Sequence, residues 1–268
     1  MTDWHCHLLP GIDDGPATMA EAVEMARALS QAGYTAVHCT PHLVKGTFEA
    51  DNATVRTTLA LLQAELVRQR IELLLLPGRE YYLDEFLMEY LEKPLALGNE
   101  RFLLIEISDQ MPAEFVKETC YRIKCSGYVP MIAHPERCRH FEFHAPHNKG
   151  LRELFNIFNS KPKTQKSDLN EPSLLGYLKG IGCLFQGNLG SFAGIYGERV
   201  RQSAANLNSL KMYTHFGTDL HSTKGLGMLS GINMGEFISS SKKPNDEPLL
   251  KSESDQASET VRQFLDSQ

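Results

Sequence analysis

An α/β fold, with a parallel sheet covered by helices, is what this sequence predicts, and three observations predict it. Short apolar runs such as "YTAVHCTPH", "IELLLLPGREYY" and "RFLLIEIS" read as strands buried on both faces rather than as half-exposed ones. Stretches with helical spacing of apolar residues stand between them, which is the alternation that builds a parallel sheet. Most of the runs also end in histidine or a carboxylate, the kind of residue that collects where parallel strands end. A (β/α) barrel of about seven strands and an open doubly wound sheet both satisfy these observations.

In chain order, a short strand near Thr2 to His5 leads into the turn "LLPGIDDGP". "TMAE" at Thr18 to Glu21 has capping-box spacing, and Met19, Ala22, Val23, Ala26 and Leu29 mark one face of a helix ending at Gly33. The run from Tyr34 is a strand stopped by Pro41. A second helix covers about Asn52 to Arg70, with Val55, Leu59, Leu62 and Leu66 inward. "IELLLLPGREYY", "RFLLIEIS", "YVPMIAHPER", "GCLFQGNLGS" and "KMYTHFGTDLH" supply strands three to seven, with a helix around Ala113 to Ser126.

At 268 residues the chain can bury one large core. The organisation expected is one domain over residues 1–238, with a lysine-rich surface insertion at 160–172, and a polar tail over 239–268. A net charge of −6 argues against a general nucleic-acid or anionic-membrane surface. No stretch reaches the ~18 apolar residues of a membrane span, and the N-terminus lacks the regions of a signal peptide, so a cytoplasmic location is expected. The six cysteines show no CxxC pair, which fits reduced thiols. Strand alternation should point Cys6 away from its two histidine neighbours.

The residues at the strand ends carry the chemistry. His5, His7 and Asp14 follow the first strand, His42 the second, Glu80 the third, Glu106 the fourth, His134 the fifth, and Asp219 with His221 the seventh. Residues i and i+2 of a strand face one side, so His5 with His7, and Asp219 with His221, can aim into one cavity. Imidazole and carboxylate together suit zinc, iron, manganese and similar ions. Nine such side chains can hold two or three metals if a carboxylate bridges, and Glu80 is the expected bridge. Four carboxylates and one hydroxide against three divalent ions leave the centre roughly +1, enough to draw a phosphate to an acidic protein.

"HCHLLPGIDDG", "TPH", "GRE", "IE" ending in Glu106, "AHPER", "GNLGSFAGIYG" and "TDLH", in that order over Met1 to Ser222, resemble the polymerase-and-histidinol-phosphatase (PHP) superfamily. Within it they resemble most the bacterial manganese-dependent tyrosine-protein phosphatases of capsule and exopolysaccharide clusters, the CpsB/YwqE type. The resemblance implies a distorted (β/α)7 barrel with an outer ring of helices and three divalent metals, manganese first, with iron or zinc as alternatives. It implies one metal on His5, His7, Glu80 and Asp219, a second on Glu80, Glu106 and His134, and a third on Asp14, His42 and His221. It gives Arg137 the phosphate. A metal-bridged hydroxide would then attack phosphotyrosine with no cysteine nucleophile.

Where that family commonly carries an arginine after the final Asp-x-His, this chain offers Lys224 on a glycine-flanked stretch expected as a loop; lysine supplies charge without the planar fork. The expected partner is a phosphotyrosine protein, an autophosphorylating tyrosine kinase of polysaccharide synthesis. The alternatives are a phosphomonoesterase for a small metabolite such as histidinol phosphate, and a non-catalytic regulator of the kinase. An amidohydrolase is disfavoured because no lysine is placed as a carbamylated bridge.

Overall fold

The structure, a computed structural model, describes residues 1–98, 101–142 and 173–229. The expected insertion at 160–172 and the tail from 239 lie outside the described residues. Strand β1 (Thr2–Cys6) leads to helix α1 (Met19–Gln31), whose start is fixed as the sequence predicts: the Thr18 side chain accepts from the Glu21 amide and Glu21 accepts from the Thr18 amide. Gly33 then takes a φ of 91°, which ends the helix.

The second and third sequence runs are each broken in two. β2 (Ala36–Cys39) stops before Pro41 and β3 (His42–Leu43) resumes after it; helix α2 (Asn52–Arg68) follows, then β4 (Leu74–Pro77) and β5 (Glu80–Tyr82) are parted by Gly78 and Arg79. Next come the short α3 (Leu87–Tyr90), β6 (Phe102–Glu106), α4 (Ala113–Cys125) and β7 (Val129–Ala133). After the undescribed stretch, α5 (Leu174–Gly180), β8 (Leu184–Asn188), α6 (Leu189–Phe192), α7 (Glu198–Ser209), β9 (His215–Gly217) and α8 (Thr223–Leu229) complete the order. Helix α7 has no counterpart among the sequence expectations. Lys224 lies in the first turn of α8 and not in a loop. A Cβ on Gly225 would come 2.3 Å from Leu220, so that glycine lets the helix pack close instead of leaving the segment loose.

Every strand pair is parallel, in the orders β1-β2-β4 and β3-β5-β6-β7-β8-β9. Counting each broken run as one strand gives seven staves. The last meets the first: the Asp219 amide donates to the His5 carbonyl at 2.7 Å, and the His7 amide to the Leu220 carbonyl at 3.0 Å. That closure selects the barrel over the open sheet. It depends on Gly217, where a Cβ would sit 2.5 Å from the Cβ of His5.

Alternate strand residues serve two cores. Leu103, Ile105, Ile132 and Phe185 face outward onto α4, α5 and α7, while Val37, Cys39 and Leu75 pack with α1 and α2. Leu104, Met131 and Ala133 face inward with Trp4 and Leu184 and fill the N-terminal end of the barrel. Each fully buried leucine contributes about 1.5–3 kcal/mol. With the floor filled, the candidate ligands collect at the C-terminal end, where they build the site.

Candidate metal centre

The register of β1 shifts against β2 between Asp3 and Cys6, so that two residues of β1 stand opposite one of β2. Such a bulge re-aims side chains. Trp4 therefore points into the barrel floor, where it stacks on His38 with ring centroids 4.5 Å apart, while its neighbour His5 also points inward, at Gln186. Cys6 faces the helix-side core, away from both histidines as expected.

All nine expected side chains meet at the C-terminal ends of the strands. His5 Nε2, His7 Nε2, Glu80 Oε2 and Asp219 Oδ1 form one knot: the two imidazole nitrogens are 3.1 Å apart and each lies 3.2–3.3 Å from both carboxylate oxygens. Glu80 reaches beyond it, with Oε2 3.0 Å from His42 Nδ1 and Oε1 3.0 Å from His134 Nε2. Glu106 stands 3.9 Å from both of those histidines. Asp14 Oδ1 lies 3.3 Å from His221 Nε2 and 3.8 Å from His42 Nε2. His42 thus turns one ring nitrogen to Glu80 and the other to Asp14. Three overlapping groups could each hold an ion: His5, His7, Glu80 and Asp219; His42, Glu80 and Glu106; and His7, Asp14, His42 and His221.

The surrounding hydrogen bonds fix which atoms face inward. Gln186 Oε1 accepts from the His134 amide and its Nε2 donates to the Gly187 carbonyl, so Oε1 must also accept from His5 Nδ1, 2.9 Å away. Asp13 accepts from the His42 and Gly15 amides and, at 2.7 Å, from His7 Nδ1. Both rings therefore carry their proton on Nδ1 and present bare Nε2 lone pairs to each other and to two carboxylates. Four such acceptors repel one another unless a metal ion or added protons lie among them. Glu80 Oε2 and His42 Nδ1 are buried with no hydrogen-bond partner, which suits both to ligating a cation.

Without an ion, the same electron-rich knot draws protons instead. Burial opposes charge on His5, yet Glu80 and Asp219 outweigh it and hold the ring protonated to about pH 9 without metal. Burial likewise disfavours ionised Glu80 and Asp219, but His5 leads the groups that keep both well below the usual carboxylate range. Glu106 is raised by burial and then by Glu80. Two of the nine sit in the left-handed region, His134 at φ 28° and Asp219 at φ 52°. Strain of this kind persists where the surroundings over-determine it, commonly at functional sites.

Arg137 ends the turn that follows His134. Its guanidinium donates to Asp219 Oδ2 and lies 3.8 Å over the Tyr196 ring, while its Nε has no partner. Buried Glu136 anchors that turn by accepting from the Asn188 amide and the Tyr213 hydroxyl, both at 2.9 Å. Lys224 is exposed on α8. The sequence reading missed Asp13, Gln186, Asn188 and Tyr196. Asp13 was there to be found as the other half of "DD", and Gln186 with Asn188 repeats the i, i+2 spacing of the histidine pair within an apolar strand.

A family model described as capsular polysaccharide synthesis, CpsB/CapC, matches residues 1–157. Tyrosine-protein phosphatase YwqE of Bacillus subtilis is 30% identical over 226 residues, 84% of this chain and 78% of that protein. Putative tyrosine-protein phosphatase CapC of Staphylococcus aureus is 29% identical over 178 residues, 66% of each chain. A crystal structure from work on YwqE of Bacillus subtilis and CpsB of Streptococcus pneumoniae, described as metal-dependent tyrosine phosphatases, matches with a TM-score of 0.69 and 28% identity over 98% of this chain and 94% of that one. Among the described residues no helix is long and apolar enough to cross a membrane.

Proposed function

Because the chain belongs to the CpsB/CapC family of capsular polysaccharide synthesis, we propose that it is a metal-dependent protein-tyrosine phosphatase. One observation carries this reading: His5 Nε2, His7 Nε2, Glu80 Oε2 and Asp219 Oδ1 converge, each imidazole nitrogen within 3.3 Å of the other and of both carboxylate oxygens, as ligands around one ion would. His5, His7, Glu80 and Asp219 would hold one divalent ion, Glu80, Glu106 and His134 a second, and Asp14, His42 and His221 a third. Manganese is the expected ion, and the mixed imidazole and carboxylate donors also suit iron or zinc. Bound ions would supply Lewis acidity toward the phosphoryl group and a lowered pKa for water.

The protein groups do the rest. Gln186 and Asp13 keep the two histidines in the tautomer that faces the ions. Arg137, braced by Asp219 and Tyr196, offers its remaining N–H groups to the phosphate oxygens, where a guanidinium can grip two at once. Lys224 would add charge from the rim. The leaving group is a phenol of pKa about 10, well below an alkyl alcohol, so its departure demands little protonation. The substrate proposed is a phosphorylated tyrosine on an autokinase of polysaccharide synthesis, and the setting the cytoplasm.

The test is to strip the protein with a chelator, reload it with manganese, iron or zinc, count bound ions, and compare kcat/KM on a phosphotyrosine peptide with that on histidinol phosphate. Hydrolysis that returns with metal and favours the peptide is expected. A protein that takes up no divalent ion would overturn the reading, and preference for the small ester would replace the protein substrate with a metabolite.

A further inference from the structure

Beside Arg137 stands an apolar surface that metal binding leaves unexplained. Among the described residues only six large hydrophobic side chains are substantially exposed, and two of them, Ile195 and Tyr196, are neighbours at the rim of the metal centre. They are 39% and 40% exposed, in the loop between α6 and α7. This loop is a fixed piece of structure. The Ile195 amide donates to the Gly190 carbonyl at 3.1 Å, and Gly197 donates to the carbonyl of Gly194 at 3.0 Å. Gly194 and Gly197 take φ of 77° and 89°, conformations that turn the chain out and back around the pair.

Both side chains lean on the bare face of Gly190: a Cβ there would lie 3.1 Å from Tyr196 Cε2 and 3.3 Å from Ile195 Cδ1. Tyr196 is tied to the site twice more. Its ring carries the Arg137 guanidinium, and its hydroxyl lies 3.5 Å from Asn188 Nδ2, which also donates to Asp219 Oδ2. Tyr196 therefore stands directly against the cation proposed to hold the phosphate, with Ile195 beside it on Gly190.

We infer that Ile195 and Tyr196 form the wall on which the substrate's aromatic ring packs, making this loop the determinant of phenolic over alkyl phosphate esters. The inference rests on the phosphatase reading above and names what that reading leaves open, the source of its preference for tyrosine. In a phenolic ester the ring is attached directly to the bridging oxygen, so a phosphate seated at Arg137 carries its ring to the adjacent surface. A rigid apolar face there gains ring contact without having to be ordered on binding. A small alkyl ester, with no ring, gains nothing from it.

The test uses the manganese-loaded full chain with Ile195→Ser and Tyr196→Ala. Three quantities are read: kcat/KM on phenyl phosphate, kcat/KM on glycerol 2-phosphate, and the inhibition constant of inorganic phosphate. Ile195→Ser should lower the phenyl-to-glycerol ratio by about three- to tenfold, the size of one or two apolar carbons lost from contact with the ring, while phosphate inhibition moves by less than about twofold. Tyr196→Ala should lower the ratio further and weaken phosphate inhibition as well, because Arg137 loses its support. Thermal melting confirms that each variant is folded.

A ratio unchanged in both folded variants would overturn the inference and leave the phosphatase intact. So would a loss in Ile195→Ser that falls equally on both esters and on phosphate. A wild-type enzyme that cleaves neither ester would remove the phosphatase reading itself, and this inference with it.

Discussion

Replacing Asp13 by asparagine should weaken manganese binding although Asp13 is not placed as a ligand. Its carboxylate accepts three hydrogen bonds, from His7 Nδ1 at 2.7 Å, the His42 amide at 2.9 Å and the Gly15 amide at 3.0 Å. Asparagine has the same shape but only one acceptor oxygen. With its amide nitrogen at the Oδ2 position, it confronts two donors, and His7 can escape only by moving its proton to Nε2. That proton then points into the space between His5, Glu80 and Asp219. With the amide nitrogen at the Oδ1 position, it confronts the Gly15 amide instead. Either way a hydrogen bond to a charged acceptor is lost, about 1.5–3 kcal/mol. The same range corresponds to roughly 10- to 100-fold in metal affinity, the usual effect of removing a carboxylate behind a ligating histidine. The assay is calorimetric titration of the chelator-stripped variant with manganese, beside a melting curve to show that it folds. Wild-type affinity in a folded Asp13→Asn protein would refute the tautomer argument and the role given to Asp13.

Glu80→Gln should cost more bound metal than a change at Asp14 or His221, because Glu80 alone touches His5, His7, His42 and His134; ion counting after dialysis checks it, and a variant that keeps wild-type stoichiometry removes the bridge. Arg137→Ala should lower kcat/KM on a phosphotyrosine peptide by one to three orders of magnitude, about 1.5–4 kcal/mol, with metal content intact; wild-type kinetics would free Arg137 from any part in the reaction. Metal-free protein should lose thermal stability as pH rises from about 6.5 to 9. His5 is raised by Glu80 and Asp219 against burial, so its stabilising charge is present below the unfolded value and is lost as pH climbs through the folded one. Metal-loaded protein should lack that loss, and identical melting profiles with and without metal would contradict the assignment of His5 to the centre.

How much of this was legible in the sequence varies with the kind of signal. Strand runs, the Thr18 capping box and the nine side chains at strand ends could be read because each follows a period or a chain address that holds whatever the partners are. The breaks at Pro41 and at Gly78 were less so, since an apolar run does not show where its pairing passes from one sheet to the next. Helix α7 was missed because few apolar residues mark its inward face, chiefly Val200, Ala204 and Leu207, among serines and asparagines. Lys224 was expected in a loop because glycines flank it, yet Gly225 serves close packing on Leu220 within a helix.

The supporting acceptors were hidden for a different reason. A ligand declares itself by residue type, but Asp13, Gln186 and Asn188 act only through what they touch, and those contacts span up to 181 positions in sequence, as between His5 and Gln186. The "DDG" pair shows the difficulty within two residues. Asp14 is exposed and faces His221, whereas Asp13 turns inward and dictates the tautomer of His7. No periodicity separates them, because a turn has none. What separates them is Gly15, where a Cβ would stand 2.4 Å from the His7 carbonyl. With a side chain excluded there, the turn folds back onto the end of β1 and carries Asp13 beneath the imidazole. The glycine after the two aspartates therefore decides which of them faces solvent and which holds the histidine.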